Sequence, residues 1–534
     1  DNMTEKEIET LVLLHEYGVP HVEFSSDVMA CLPSNTWKIT PEIISQRTDL
    51  RHIPVVSIDP PGCKDIDDAL HCSRLPNGNL QVGVHIADVT YFVENNSPLD
   101  KEASYRSTST YLVERRLDML PSLLTTELCS LRSNEDHLAF SVMWEMTDSG
   151  DIIDVNFCKS CIHSVASLTY GDAQVMLDAK QKEKDQEKAN KQHSSSSNSN
   201  SNSDKSVDPE MASDVNDKSV ETSVYLLNKL AKILRKKRID AGALSLASPE
   251  VRFSLDSDTK NPTDVQQYEL KETNALVEEF MLLANITVSK KILRHYPTLG
   301  VLRRHEPPSR EQFEPLMNAA KAAGIIIDIT TSKTLADSLD NAIKANDPFF
   351  NKLLRIMSTR CMMPAQYFCS GEIAKEQWHH YGLAAPIYTH FTSPIRRYAD
   401  IIVHRLLASS IGVMSLPIDY NDKSKSHELC SHLNRRHKAA QYVQRASVQL
   451  HTLLFFRYKP QEQDAYVLSI NDENITVLVP KFGIEGQVSI DDISKRFYTP
   501  ILNTSTKTKT KTRTKTRTKT KTKTKTKTKT KTKT

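Results

Sequence analysis

Two stretches of this chain cannot bury an apolar face, and they set where a core can form. From Ala179 to Thr222 the sequence passes from Lys, Glu and Gln into Ser/Asn repeats (HSSSSNSNSNSDKS). That composition lacks the apolar surface that offsets ordering entropy, so a disordered insertion is expected. From Thr504 to Thr534 Thr and Lys alternate. The period is that of a strand, but neither face would be apolar and the lysines repel, so a low-complexity tail is expected. This tail also distorts the charge. The 534 residues carry a net +3, yet Lys507–Thr534 holds fourteen Lys and Arg and no acid; taking these fourteen from +3 leaves −11 on the rest. Global basicity therefore gives no argument for a nucleic-acid partner, and local clusters must supply it.

Elsewhere the chain has the composition of an ordinary globular protein, with 39% apolar and 25% charged residues. Its length predicts three or four domains. No apolar run reaches the ~18 residues of a membrane helix, so no membrane association is expected. The nine cysteines are scattered and odd in number, which favours reduced thiols and an intracellular setting. Cys158 and Cys161 have CxxC spacing but no second pair, so two free thiols on a half-buried strand are expected rather than a zinc site. The chain opens at Asp1, which reads as a processed or incomplete product.

The patterning predicts an α/β (α+β) fold. Ile53–Ile58, Leu80–Ile86, Leu138–Trp144 and Ile152–Cys158 read as strands. Asn274–Leu293, Pro394–Leu407 and His432–Phe456 read as helices. After Gln461 short strands return (AYVLSI, NITVLVP, GIEGQVSI), as in the start of a small β-barrel.

The most informative segment is Ser57-Ile-Asp-Pro-Pro-Gly-Cys-Lys-Asp-Ile-Asp-Asp-Ala-Leu70. Asp59 closes an apolar strand, Pro60-Pro61-Gly62 forces a turn, and Asp65, Asp67 and Asp68 follow. Carboxylates this close repel unless cations lie among them. Hard oxygen ligands on a tight loop suit Mg²⁺, and two ions ~3.5–4 Å apart would serve a phosphodiester displacement. A solvated acidic turn or a calcium-stabilised loop is the plainer account. The basic counterpart is TSPIRRYAD. Ser393 is placed to cap a helix starting at Pro394, with Arg396 and Arg397 in its first turn, where exposed N–H groups also attract anions. An Arg396–Asp400 pair within one helix, worth ~0.3–0.5 kcal/mol, is the alternative.

DPPGCKDIDDAL, VGVHIADVTYFV, STYLVERRLDMLP, LCSLR, SLTYGDAQ, NALVEEFMLLAN, LRRHEPP and HFTSPIRRYADIIVHRLL follow one another in this order. The series resembles the catalytic (RNB) domain of the ribonuclease II/R family. With RCMM and YFCSG, the Pro-Pro-Gly-Cys form is most similar to the branch that supplies the catalytic exonuclease of the eukaryotic RNA exosome. The resemblance implies that Asp59, Asp65, Asp67 and Asp68 hold two Mg²⁺ ions, with Mn²⁺ as a substitute, and that Asp67 is the position most sensitive to substitution. It implies that Arg396, Arg397 and Arg445 contact RNA phosphates and that Tyr111 stacks on the 3′-terminal base. An acid at Glu278 or Glu279 would touch the terminal ribose, and the sequence does not choose between them. His85 and Asp88 are expected to support the Asp loop. The run Arg235–Arg238 reads as a solvated helix face.

The implied activity is 3′→5′ hydrolysis of single-stranded RNA to nucleoside 5′-monophosphates, in RNA processing and decay, in nucleus and cytoplasm. An RNA-binding remnant with little turnover is the alternative. The implied layout is a cold-shock-domain tail and linker (1–45), an RNB domain (46–457) with the insertion 179–222, a partial S1 (OB-like) domain (461–500) and the Thr-Lys tail (504–534). Family members carry an endonuclease-type domain and two cold-shock domains ahead of this region. No endonuclease activity, weak processivity and a reduced surface for docking an exosome core are therefore expected.

Overall fold

The computed structural model describes residues 3–194, 219–247, 251–257, 259–267, 270–482 and 484–497. Two compact units are present. The first comprises Asp1–Leu244, Leu270–Pro307 and Met363–Ser447; the second comprises Ser245–Glu269, Pro308–Met362 and Val448–Thr534. This division cuts across the single 46–457 domain expected from the sequence. The Thr-Lys tail lies outside the described residues.

The first unit is built on a mixed sheet of β1 (Thr48–Asp49), β2 (Val55–Asp59), β3 (Asp68–Arg74), β4 (Leu80–Ala87), β5 (Glu135–Met146) and β6 (Ile152–Thr169). Neighbours run β1-β6-β2-β3-β4-β5, and β6 also pairs with β5. The length of β6 makes this possible. Its first part runs antiparallel to β5, from Met146↔Ile152 to Glu135↔Ser164, and its last part runs parallel to β2, ending at Asp59↔Thr169. The five strands β2 to β6 thus close into a ring of pairings. Val55, Val56 and Ile58 in β2 are all buried, as expected of a strand covered on both faces, where apolar residues run on without alternation. Cys158 and Cys161 both lie in β6 with free thiols. Three residues apart on a strand, they point to opposite faces and cannot share an ion.

Four helices matter for the site: α1 (Tyr170–Ser194), α2 (Val220–Asp240), α3 (Glu272–His295) and α4 (Tyr398–Ser410). In α3, Leu276, Phe280, Ala284, Val288 and Ile292 recur every fourth residue and are all buried, one apolar stripe that holds the helix on the core. Composition alone predicts disorder from Ala179 on, but α1 continues to Ser194, and α2 begins at Val220, capped by Ser219. Lys, Glu, Gln and Ala are strong helix formers, and Lys184 lies over the Tyr225 ring of α2 at 5.2 Å. Residues 195–218 of the expected insertion lie outside the described set. Residues 3–45, expected to end a cold-shock domain, carry the helices Glu5–Glu16, Ser26–Met29 and Pro41–Ser45 and no strand.

In the second unit Tyr466–Ile470, Asn474–Val479 and Ile484–Ser489 form a three-stranded antiparallel sheet. Leu478 and Tyr466 pack on Leu353, Ile356 and Phe349 of the helical segment. The long helix α5 (Lys423–Tyr458) covers the predicted His432–Phe456 and begins nine residues earlier. No helix among the described residues is long and apolar enough to cross a membrane.

Candidate active site

The Asp loop is shaped by its turn. Cys63 N–H donates to the Pro60 carbonyl at 3.1 Å, and Gly62 has φ +79°. Proline second and a left-handed glycine third make a type II turn, which reverses the chain after β2. Asp59 thus stands at the end of β2 and Asp68 at the start of β3, with Asp65 and Asp67 between them. All four line a cleft of about 480 Å³ in the first unit, together with Tyr111, Glu278, Arg396 and Arg397.

Each carboxyl has a different environment. Asp67 is almost wholly buried; Ile395 N–H donates to its Oδ1 at 2.9 Å and Arg396 Nε to its Oδ2 at 3.3 Å. Asp65 accepts the Tyr111 hydroxyl at 3.0 Å and is ion-paired to Arg116. Asp59 Oδ2 is buried with no hydrogen-bond partner among the described residues. Burial, joined by repulsion from Asp65, pushes the Asp59 carboxyl up to about 6. Burial also pushes Asp67 up to about 7 against the pull of Arg396. Asp68 is raised well above the usual carboxylate range by burial and by the charges of Asp59 and Asp67. Buried carboxyls without enough positive charge take up protons. This donor set, all hard oxygens with one buried oxygen unpartnered, fits a divalent cation of the Mg²⁺ class. No three His, Cys, Asp or Glu side chains among the described residues converge on one ion-sized point. Asp65 is turned to Arg116 and Asp67 to Arg396.

The TSPIRRYAD segment differs from expectation. The helix starts at Tyr398, not Pro394, and Arg397 is its N-cap. Asp400 Oδ1 accepts the Ser393 N–H at 2.7 Å, while Asp67 takes the Ile395 N–H. The Arg396 and Arg397 N–H groups donate to the Ser393 carbonyl at 3.4 and 3.1 Å, so this stretch is a turn, and Arg397 is held extended by backbone pairing with Thr108. The two arginines part company here. Arg397 is bound by two parallel contacts to Asp400, both 2.8 Å, a strong fork geometry that fixes the turn. Arg396, whose side chain is 40% exposed, lines the cleft with Nε on Asp67 and Nη2 donating to Ser393 Oγ at 2.9 Å, and the alternative Arg396–Asp400 pair does not form.

The structure also separates the two acids of α3. Glu278 lines the cleft; Glu279 is buried and tied to Arg238. Arg238 therefore does not belong to a solvated face. Arg445 is exposed on α5 and does not line this cleft. Neither His85 nor Asp88 touches the Asp loop with its side chain. His85 bonds His71 and Ser141 inside the sheet, and Asp88 is buried between Arg47 and Lys159. Sequence reasoning passed over Arg116, four residues before the buried Leu120 in STYLVERRLDMLP, and Asn285, whose amide bonds Tyr388 at 3.1 Å in the cleft wall. Nothing in their spacing marks either one.

Comparison with known proteins agrees with this architecture. The RNB domain family matches residues 47–412, and an S1 domain family matches residues 461–531. The chain is 49% identical over 486 residues to the exosome complex exonuclease RRP44 homolog A of Arabidopsis thaliana, and 50% identical over 492 residues to the exosome complex exonuclease RRP44 of Homo sapiens. These alignments cover 91% and 92% of this chain and 48% of each relative, so the chain spans about half the length of the curated relatives it matches. Among solved structures, Mycoplasma genitalium RNase R in complex with ribose-methylated single-stranded RNA matches with TM-score 0.74 at 21% identity, over 92% of this chain and 71% of the other. Yeast Ssd1, a pseudonuclease, matches with TM-score 0.65 at 23% identity, over 86% and 51%. Likeness at this identity speaks for the fold alone, which a nuclease and a pseudonuclease share. The extent of the RNB match and the identity to the exosome exonucleases place this chain in the RNB family.

Proposed function

We propose that this chain is a metal-dependent 3′→5′ exoribonuclease that hydrolyses single-stranded RNA to nucleoside 5′-monophosphates. The observation that carries this reading is one cleft in which four carboxyls, Asp59, Asp65, Asp67 and Asp68, face the exposed guanidinium of Arg396. Carboxyls of this kind would hold two Mg²⁺ ions, or Mn²⁺ in their place. When bound, such ions supply water activation and stabilisation of charge on the leaving oxygen. Arg396 stands ready to take a phosphate oxygen and to favour the charge that develops there in the transition state. Arg397 does so less directly, because Asp400 already holds it; its part is to fix the turn that presents Arg396. Tyr111, anchored at its hydroxyl by Asp65, offers its ring to the terminal base, a contact every base can make. Glu278 is the acid placed to accept the terminal 2′-hydroxyl, which separates RNA from DNA. Arg445, exposed on α5, contacts RNA phosphates outside this cleft.

By the same reading the RNB domain occupies about residues 46–457 and a partial S1 domain follows from 461. The partners are single-stranded RNA and, as in the relatives named exosome complex exonuclease, an exosome core. The setting is intracellular, in nucleus and cytoplasm. The test is a 5′-labelled single-stranded RNA incubated with the purified chain, with Mg²⁺ and with EDTA, beside the Asp67→Asn variant. Stepwise shortening that requires both Mg²⁺ and Asp67 is expected, with RNA still bound by the variant. Hydrolysis retained by pure Asp67→Asn, or RNA bound without shortening by the parent chain, would overturn the reading, the latter in favour of an RNA-binding remnant.

A further inference from the structure

Two adjacent acids on one helix point about 100° apart, so they rarely share a partner. Glu278 and Glu279 do. Arg238, near the C-terminal end of α2, donates from Nε to both Glu279 carboxylate oxygens at 3.1 and 3.2 Å, and its Nη2 is shared, at 2.5 Å from Glu279 Oε1 and 3.3 Å from Glu278 Oε1. The Glu279 side chain is 3% exposed and that of Glu278 is 51% exposed. One guanidinium is thus anchored in the interior by Glu279, and the Nη2 that Glu279 holds also reaches the acid in the cleft. A planar guanidinium has a fixed fork of donors, so the buried pair dictates where Nη2 points and, through it, where the Glu278 carboxylate rests.

We propose that Arg238 is a positioning residue for sugar recognition. Held by Glu279, it sets the Glu278 carboxylate as a charged acceptor for the hydroxyl of the terminal ribose. Glu279 is the anchor and does not meet the substrate. This rests on the reading of Glu278 as the ribose contact, and it adds a specificity-determining residue on a different helix. Lysine at 238 would supply charge without the fork and would hold one acid, not both.

The test is binding, which needs no turnover. Fluorescence anisotropy in EDTA would compare a 5′-labelled oligoribonucleotide with the same oligomer carrying a single 2′-deoxy sugar at its 3′ end, using the full chain. The parent chain is expected to prefer the all-ribose oligomer by about tenfold, the size of one hydrogen bond to a charged acceptor. Glu278→Ala should bring the ratio near one. Arg238→Met leaves a buried unpaired carboxylate and risks unfolding; the double variant Arg238→Met, Glu279→Gln removes that charge and should also bring the ratio near one. Arg238→Lys should fall between, and Glu279→Gln alone should keep most of the preference. If the Arg238 variants weaken both oligomers equally while Glu278→Ala abolishes the preference, Arg238 is only a structural tie and the proposal fails. If Glu278→Ala leaves the ratio unchanged, the ribose-contact reading itself fails.

Discussion

At the scale of single residues, the site is dominated by burial of carboxyls. Burial disfavours the ionised form of Asp59 and Asp67 and pushes their carboxyls up to about 6 and about 7. Folded, they bind protons more tightly than unfolded. The stability they contribute is therefore full below the unfolded value and is lost as pH rises through the folded values. In EDTA the melting temperature should fall between about pH 4 and about pH 7 on this account. A divalent cation should restore it at the upper end, because a bound ion compensates the ionised carboxyls. The Asp59→Asn variant, which cannot ionise there, should show a smaller fall. Melting curves that stay flat across this window in EDTA would mean that Arg116 and Arg396 already neutralise the cluster.

At the scale of elements, the turn that presents the aspartates is open to a direct test. Gly62 has φ +79° and nothing within 4 Å of where a Cβ would stand, so Gly62→Ala meets no clash and costs only the left-handed backbone, about 1–2 kcal/mol. That strain falls on the Asp loop, so activity should drop by more than the melting temperature suggests; equal, small losses in both would show that the loop tolerates a different turn. The same segment shows what sequence could disclose. Pro-Pro-Gly specifies its turn locally, and the apolar run before Asp59 specifies its strand, so the placing of all four aspartates was legible. The start of α4 was not. Ser393 and Pro394 satisfy every local rule for opening a helix, but the backbone on either side of Arg397 pairs with a distant segment, Tyr398 N–H donating to the Ser107 carbonyl and Ser109 N–H to that of Arg396, which holds Arg397 extended. Arg238 reads as part of a solvated face, and Arg116 escaped notice, for a related reason. Their partners, Glu279 and Asp65, are brought to them by tertiary packing and not by spacing. The stretch after Ala179 failed in the opposite sense, since a composition too polar for a core still makes a helix when it packs along α2.

At the scale of the whole molecule, charge is divided very unevenly. The body carries −11 and the cleft is lined by carboxyls, while fourteen cations stand in Lys507–Thr534. An RNA strand approaching an acidic body is repelled at long range, and Lys507–Thr534 is the densest run of positive charge in the sequence. Affinity for single-stranded RNA should then fall steeply with salt, as counterions released by neutralised phosphates are recovered. The decisive variant replaces all fourteen Lys and Arg by Gln, which keeps the length and removes the charge. Its affinity at low salt should drop and the slope of log affinity against log salt should become shallower, each phosphate no longer neutralised removing about 0.7 from its magnitude. The rate of shortening at saturating RNA should not change, because Arg396 and the carboxyls are untouched. An unchanged salt slope would place phosphate binding in the folded body, with Arg445 on the exposed face of α5 the first residue to replace. A lower rate at saturating RNA would mean that these cations act on a step after binding.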